Sequence, residues 1–300
     1  MMTRVSFGAG LALTAAYVLV GSAGEVYAAA AFQHGDIYST LLIAFVITTV
    51  AFNIPPRVPL RATTDSTLRG LLALNAATAV AWLGLFIGLR YAEPAIVVSF
   101  IVAIGPISTI WVNRLVRGGS ASPSDVAASV LILLVGAYLV WVSVSGNAAM
   151  DWNAGTAFGI AASIAAGVAL TTASVFVKRL FELRLDARAI LANRFYGAIA
   201  VLLILVDHGI LLDVLRTQLA SATLIAFGTI IIPILLLQAG IRVLEPLVVN
   251  MVLSTSPLVT FAMQYLDVRL TPSPYTLVGN FLIVVIALWS VVSHARRVKR

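Results

Sequence analysis

Arg90-Tyr91-Ala92-Glu93-Pro94-Ala95-Ile96-Val97-Val98 and Arg242-Val243-Leu244-Glu245-Pro246-Leu247-Val248-Val249-Asn250 share one pattern at an offset of 152 residues. Each is Arg-x-x-Glu-Pro followed by an apolar run. Further along, Gly105-Pro106-Ile107 aligns with Ser256-Pro257-Leu258 at an offset of 151, after one deletion. The same offset pairs Val130-Leu131-Ile132 with Phe281-Leu282-Ile283. A single pentapeptide would carry little. Two in register with a second proline read as an internal repeat, and repeats define architecture.

The repeat sits in a very apolar chain. Of 300 residues, 61% are hydrophobic and 10% charged, and the mean hydropathy is +1.04. A soluble domain carries about 25% charged residues, so one soluble core could not bury this much apolar surface. A helix needs about 20 apolar residues to cross the hydrocarbon core. That rule predicts an all-α integral membrane protein with ten transmembrane helices, at 8–31, 37–54, 67–89, 93–113, 124–145, 155–177, 189–206, 219–240, 244–266 and 275–294. Pro55-Pro56-Arg57, Gly118-Gly119-Ser120, Gly146-Asn147, Asp207-His208-Gly209 and Thr271-Pro272-Ser273-Pro274 mark breaks.

The net charge is +7. The basic residues lie in short gaps between apolar runs, which argues against a nucleic-acid partner and for a bilayer one. With a cytoplasmic N-terminus, fifteen Lys and Arg fall in inside segments and three (Arg90, Arg216, Arg269) in outside ones. Cytoplasmic loops retain basic residues, so both termini are expected inside and the number of spans even. Arg4, an apolar stretch and Val26-Tyr27-Ala28-Ala29-Ala30 resemble a cleavable secretory signal. That stretch is long and the repeat requires a first helix, so the expectation is that it stays.

An offset near 150 residues spans five helices. Five is odd, so the second copy enters the membrane from the opposite side. The expected organisation is two inverted five-helix repeats, 1–147 and 148–300, an architecture that places a substrate site near the midplane at the repeat interface.

Ten helices in two such copies, with Glu93, Pro94 and Pro106 in the first and Glu245, Pro246 and Pro257 in the second, resemble the drug/metabolite transporter superfamily. The closer resemblance is to EamA-type bacterial exporters, in particular the aromatic amino acid exporter branch. It covers the whole chain. It implies a bacterial inner-membrane protein that exports amino acids or related metabolites, and other members carry sugar phosphates and drugs. No cofactor is implied, and the assembly would be a monomer or homodimer.

Polar groups inside a bilayer are costly and mark functional sites. Asn75, Thr78 and Trp82 fall at i, i+3 and i+7 on one face of the third helix. Amide, hydroxyl and indole there suit a zwitterion with an apolar side chain, although the same residue types also bond between helices. Tyr17, Ser99, Tyr196, Gln238 and Asn250 complete the substrate-binding candidates, while Ser254 and Gln264 fit packing better. Arg194, inside the seventh span, would meet a substrate carboxylate or else snorkel to the interface. Glu25 would carry a proton for antiport or anchor the interface. Glu93 and Glu245, each before a proline, favour a helix N-terminus, and each marks one mouth of the pore. With Pro94 and Pro246 they are gating candidates. Pro106, Pro233 and Pro257 are hinge candidates, since each frees a backbone carbonyl. Rocking of the two halves would alternate access to a cavity formed by the first, third and fourth helices of each copy.

An enzyme has little to stand on. His34, His208 and His294 lie at loops or ends, and with no cysteine thiol catalysis and Cys-ligated metals are excluded. No Walker-type glycine loop is present, so a secondary carrier leads, a channel-like uniporter follows and a membrane enzyme comes last.

Overall fold

A computed structural model of the chain describes residues 7–33, 35–54, 64–117, 123–241, 243–244 and 246–298. Among them every regular element is helical. Inside a bilayer each backbone polar group must find its partner within the segment, which helices achieve.

The first half contains α1 (Phe7–Ala31), α2 (Ile37–Asn53), α3 (Asp65–Tyr91), α4 (Pro94–Arg117) and α5 (Pro123–Val144). These bounds follow the apolar runs within a few residues. The second half opens with α6 (Ala154–Glu182) and closes with α14 (Pro274–Val298). Side-chain caps fix several starts: Asp36 accepts from Ser39 N at 2.6 Å, Asn153 from Thr156 N at 3.0 Å and Asp186 from Ala189 N at 2.6 Å.

Between α6 and α14 the helices differ from the expected unbroken spans. The stretch 189–206 is two helices, α7 (Ala187–Ala192) and α8 (Tyr196–Leu205), parted at Asn193-Arg194-Phe195. Two distant amides compensate the break. Asn75 Nδ2 donates to Asn193 O at 2.7 Å, and Asn53 Nδ2 donates to Ala192 O at 3.1 Å. A short helix, α9 (Leu211–Thr217), follows. The stretch 219–240 runs as α10 (Leu219–Ile225), a π-helical segment (Ala226–Ile231) and α11 (Ile232–Ile241). Pro233, which lacks an N–H, stands just after the wide turn. The ninth expected span is α12 (Pro246–Leu253), α13 (Ser256–Met263) and a 3-10 turn (Gln264–Leu266), with Pro257 in the first turn of α13. By contrast α4 runs unbroken through Pro106, where a kink was expected.

Six stretches among the described residues are long and apolar enough to cross a membrane: 7–31, 65–91, 126–144, 154–182, 187–205 and 219–241. Shorter apolar helices lie at 37–53, 94–105 and 274–290. Leu72, Ile204 and Leu134 are exposed on these apolar stretches, as on helices that face lipid, and this is an integral membrane protein.

Close helix crossings depend on small residues, since lipid removes any hydrophobic drive between helices. On α3, Gly84 and Gly88 face α6. A Cβ on Gly84 would lie 2.6 Å from Ala162 O, and one on Gly88 would lie 2.4 Å from Ser163 Oγ and 3.3 Å from Gly159 O. On α11, a Cβ on Gly240 would lie 2.3 Å from Thr14 Oγ1 and 3.3 Å from Gly10 O. Ser163 and Thr14 each return their hydroxyl to their own helix, at Gly159 O (2.7 Å) and Gly10 O (3.0 Å). The main core joins Phe32, Leu41, Phe45, Phe86, Ile96 and Phe195 from both halves.

Candidate functional site

The break between α7 and α8 organises the interior. The Asn193 carbonyl there is held by Asn75, whose Oδ1 also accepts from Gly197 N at 2.9 Å. Asn75 Nδ2 donates to Leu71 O at 2.9 Å as well. The amide of Asn75 is thus spent on protein backbone and serves to seat α8 on α3.

Arg194 stands at the break with its guanidinium turned toward α3. Its Nε–H donates to Thr78 Oγ1 at 3.1 Å, and Thr78 is fully buried. Arg194, Tyr17 and Glu25 are each half-buried. Tyr17 is within electrostatic reach of both Glu25 and Arg194, so one acid and one base share that neighbourhood. The Thr260 hydroxyl donates to Glu25 Oε2 at 3.2 Å and lies 2.9 Å from Ser22 Oγ.

Trp82 completes the α3 face. Its ring centroid lies 5.8 Å from Phe86, 6.2 Å from Phe195 and 6.4 Å from Phe45. Its Nε1–H is buried without a hydrogen-bond partner. A buried donor left unpaired is costly, which makes it a group suited to a ligand acceptor. The box draws on α2, α3 and the α7–α8 break.

The other expected residues fall elsewhere. Ser99 on α4 is buried and donates to Asn280 Oδ1 on α14 at 2.6 Å, while Asn280 Nδ2 donates to Pro257 O at 3.4 Å. Ser99 therefore joins the fourth helix to the last one and to the Pro257 turn. Tyr196 is exposed on the outside of α8, and Gln238 is half-buried on α11. Glu93 is buried and accepts three bonds: from Ala149 N (2.9 Å), Gln264 Nε2 (3.2 Å) and Thr276 Oγ1 (3.2 Å). It knots the α3–α4 corner to the loop before α6, to the 3-10 turn and to α14. Pro94 is the first residue of α4. Pro233 and Pro257 are buried. Glu245 and the side chains of Pro106, Pro246 and Asn250 lie outside the described residues.

Four contributors escaped the sequence reading. Nothing in the sequence sets Phe45, Phe86 and Phe195 apart from other apolar residues. Asn280 carried a usable signal, as the sole amide in the apolar run of α14.

These features define a multi-pass membrane protein with a polar and aromatic interior. Residues 157–292 match the EamA-like transporter family. The match supports the drug/metabolite transporter superfamily and points to small-molecule transport rather than enzymatic chemistry. A solved crystal structure shares the fold, with a TM-score of 0.62 and 13% identity over 99% of each chain. No curated protein sequence matches.

Proposed function

We propose that the chain is a secondary transporter that exports amino acids, aromatic or other neutral ones, or related small metabolites. It would do so by alternating access between inverted halves, 1–147 and 148–300. One observation carries the substrate class: Arg194 bonds Thr78 on the Trp82 face of α3, and Tyr17 lies within electrostatic reach of both Arg194 and Glu25. A zwitterion with an aromatic side chain presents the complementary set. Arg194 would take the carboxylate, Glu25 the ammonium or a coupling proton, and Trp82 the ring or its polar edge.

The repeat has its own support. Helix α3 crosses α6 with Gly88 over Ser163 and Gly159, and α11 crosses α1 with Gly240 over Thr14 and Gly10. Gly88 and Gly240 differ by 152 positions, and Ser163 and Thr14 by 149, as do Gly159 and Gly10. Exchanging the halves also maps α4 on α6 onto α12 and α13 on α1. Ten spans, with both ends in the cytoplasm of a bacterium, fit this arrangement and the distribution of Lys and Arg.

The test is efflux from liposomes loaded with labelled phenylalanine or tryptophan, with and without a pH gradient. Saturable efflux with counterflow is expected, and non-saturable flux would mark a channel-like uniporter. Arg194→Gln is expected to raise the half-saturating concentration on the order of tenfold or more. The absence of flux for every amino acid, sugar phosphate and cationic drug tried would overturn the reading.

A further inference from the structure

Away from the interior, one cavity opens at the end of the bundle where α3 begins and α6 ends. It measures about 460 Å³ and is lined by Asp65, Ser66, Arg69, Gly70, Phe176 and Arg179. Arg69 and Arg179 come from different helices and are both exposed. Neither makes an ion pair or hydrogen bond with a described residue, and Asp65, the single acid in the lining, pairs with neither. Among the described lining residues two guanidinium groups face one carboxylate, a net positive charge.

Its depth in the membrane follows from helix lengths. Helix α3 has 27 residues and α6 has 29, about 40 and 43 Å at ~1.5 Å per residue. The hydrocarbon core is ~30 Å thick, so each helix reaches into the headgroup layer. Leu68, Leu72 and Phe181, which flank the cavity in sequence, are exposed. Phe176 provides an apolar wall beside the two guanidinium groups.

We propose that this cavity binds the headgroup of an anionic phospholipid, with Arg69 and Arg179 on its phosphodiester and the acyl chains laid along Leu68, Leu72 and Phe181. Basic pockets between helices on the cytoplasmic side recognise such headgroups. Planar guanidinium groups suit phosphate oxygens better than an ammonium would. The apolar flank selects a lipid over a soluble phosphate.

The test uses the full chain in detergent and follows its melting temperature on addition of dioleoylphosphatidylglycerol, dioleoylphosphatidylcholine or inorganic phosphate. Phosphatidylglycerol is expected to stabilise the wild type in a saturable manner, and the other two are not. Arg69→Gln with Arg179→Gln is expected to raise the half-saturating lipid concentration roughly 30-fold. The charge-matched control, Lys178→Gln with Arg184→Gln, retains wild-type saturation. Asp65→Asn lowers the half-saturating concentration, a gain that a damaged fold would not produce. Equal responses in the two double variants, or an equal shift with inorganic phosphate, would overturn the proposal.

Discussion

Arg194 donates its Nε–H to Thr78 Oγ1 at 3.1 Å, across 116 positions of sequence and between the two halves of the chain. The contact holds a guanidinium at a helix break, turned inward. Its value is positional, because it leaves the terminal nitrogens of Arg194 available to an anion. Thr78→Val removes the acceptor. The expected result is a rise in half-saturation of roughly fivefold, the equivalent of ~1 kcal/mol for one hydrogen bond, and Thr78→Ser restores transport. Unchanged affinity in Thr78→Val would separate Arg194 from the substrate.

Asn75 predicts the opposite pattern. Its amide bonds the backbone of Leu71, Asn193 and Gly197. Asn75→Ala leaves Asn193 O and Gly197 N without that partner, a loss of about 1–3 kcal/mol. Melting temperature should fall while the half-saturating concentration of the surviving protein stays at the wild-type value.

Trp82→Phe tests the unpaired indole. The substitution removes a buried donor that has no partner and keeps an aromatic ring in the box. Stability should hold or rise by up to about 1–3 kcal/mol, measured as a melting temperature without substrate. Affinity should drop for substrates with an acceptor near the ring and remain for phenylalanine. A clear loss of stability would show that the N–H is in fact bonded.

The two glycine crossings should respond alike. Gly88→Ala places a methyl against Ser163 Oγ, and Gly240→Ala places one against Thr14 Oγ1. Each is expected to cost about 1–3 kcal/mol through overpacking. Removing the opposing hydroxyl, with Ser163→Ala or Thr14→Ala, should recover most of it. Additive losses in these double variants would mean that the hydroxyls are not the obstacle.

Asp267 and Arg269 form an ion pair in the turn after the 3-10 helix, with Arg269 Nε donating to Asp267 Oδ1 at 2.8 Å and Arg269 Nη2 paired with Asp267 Oδ2. Partial burial pushes the Asp267 carboxyl up, but the hydrogen bonds from the Arg269 side chain and backbone outweigh it and leave the group below its ordinary value. A depressed folded-state value contributes stability above the unfolded one and loses it as pH falls through the folded one. The gap in melting temperature between wild type and Asp267→Asn should therefore be open at neutral pH and close in acid.

Hydropathy and turn residues located the helix ends well, because apolar length and Pro or Gly punctuation are local properties. The breaks inside apolar runs were not visible. Asn193-Arg194-Phe195 interrupts a helix because Asn53 and Asn75 arrive from elsewhere to bond its carbonyls, and no window around residue 194 contains them. The face of Asn75, Thr78 and Trp82 was readable from its spacing. Its division of labour was not, since Asn75 is consumed by α8 while Trp82 stays unpaired. The aromatic box was hidden for the same reason: Phe45, Phe86 and Phe195 meet only after three segments converge.

The unequal state of the two Glu-Pro helices has a final consequence. Helix α4 is one rod from Pro94 to Arg117, whereas its counterpart in the proposed repeat is parted between Leu253 and Ser256. Duplicated halves need not stay mechanically equal. Here one limb is continuous and the other jointed, and Asn280 ties the joint at Pro257 back to Ser99. Under the proposed alternating access, the two end states would then differ in energy, because only one of the two limbs carries the joint.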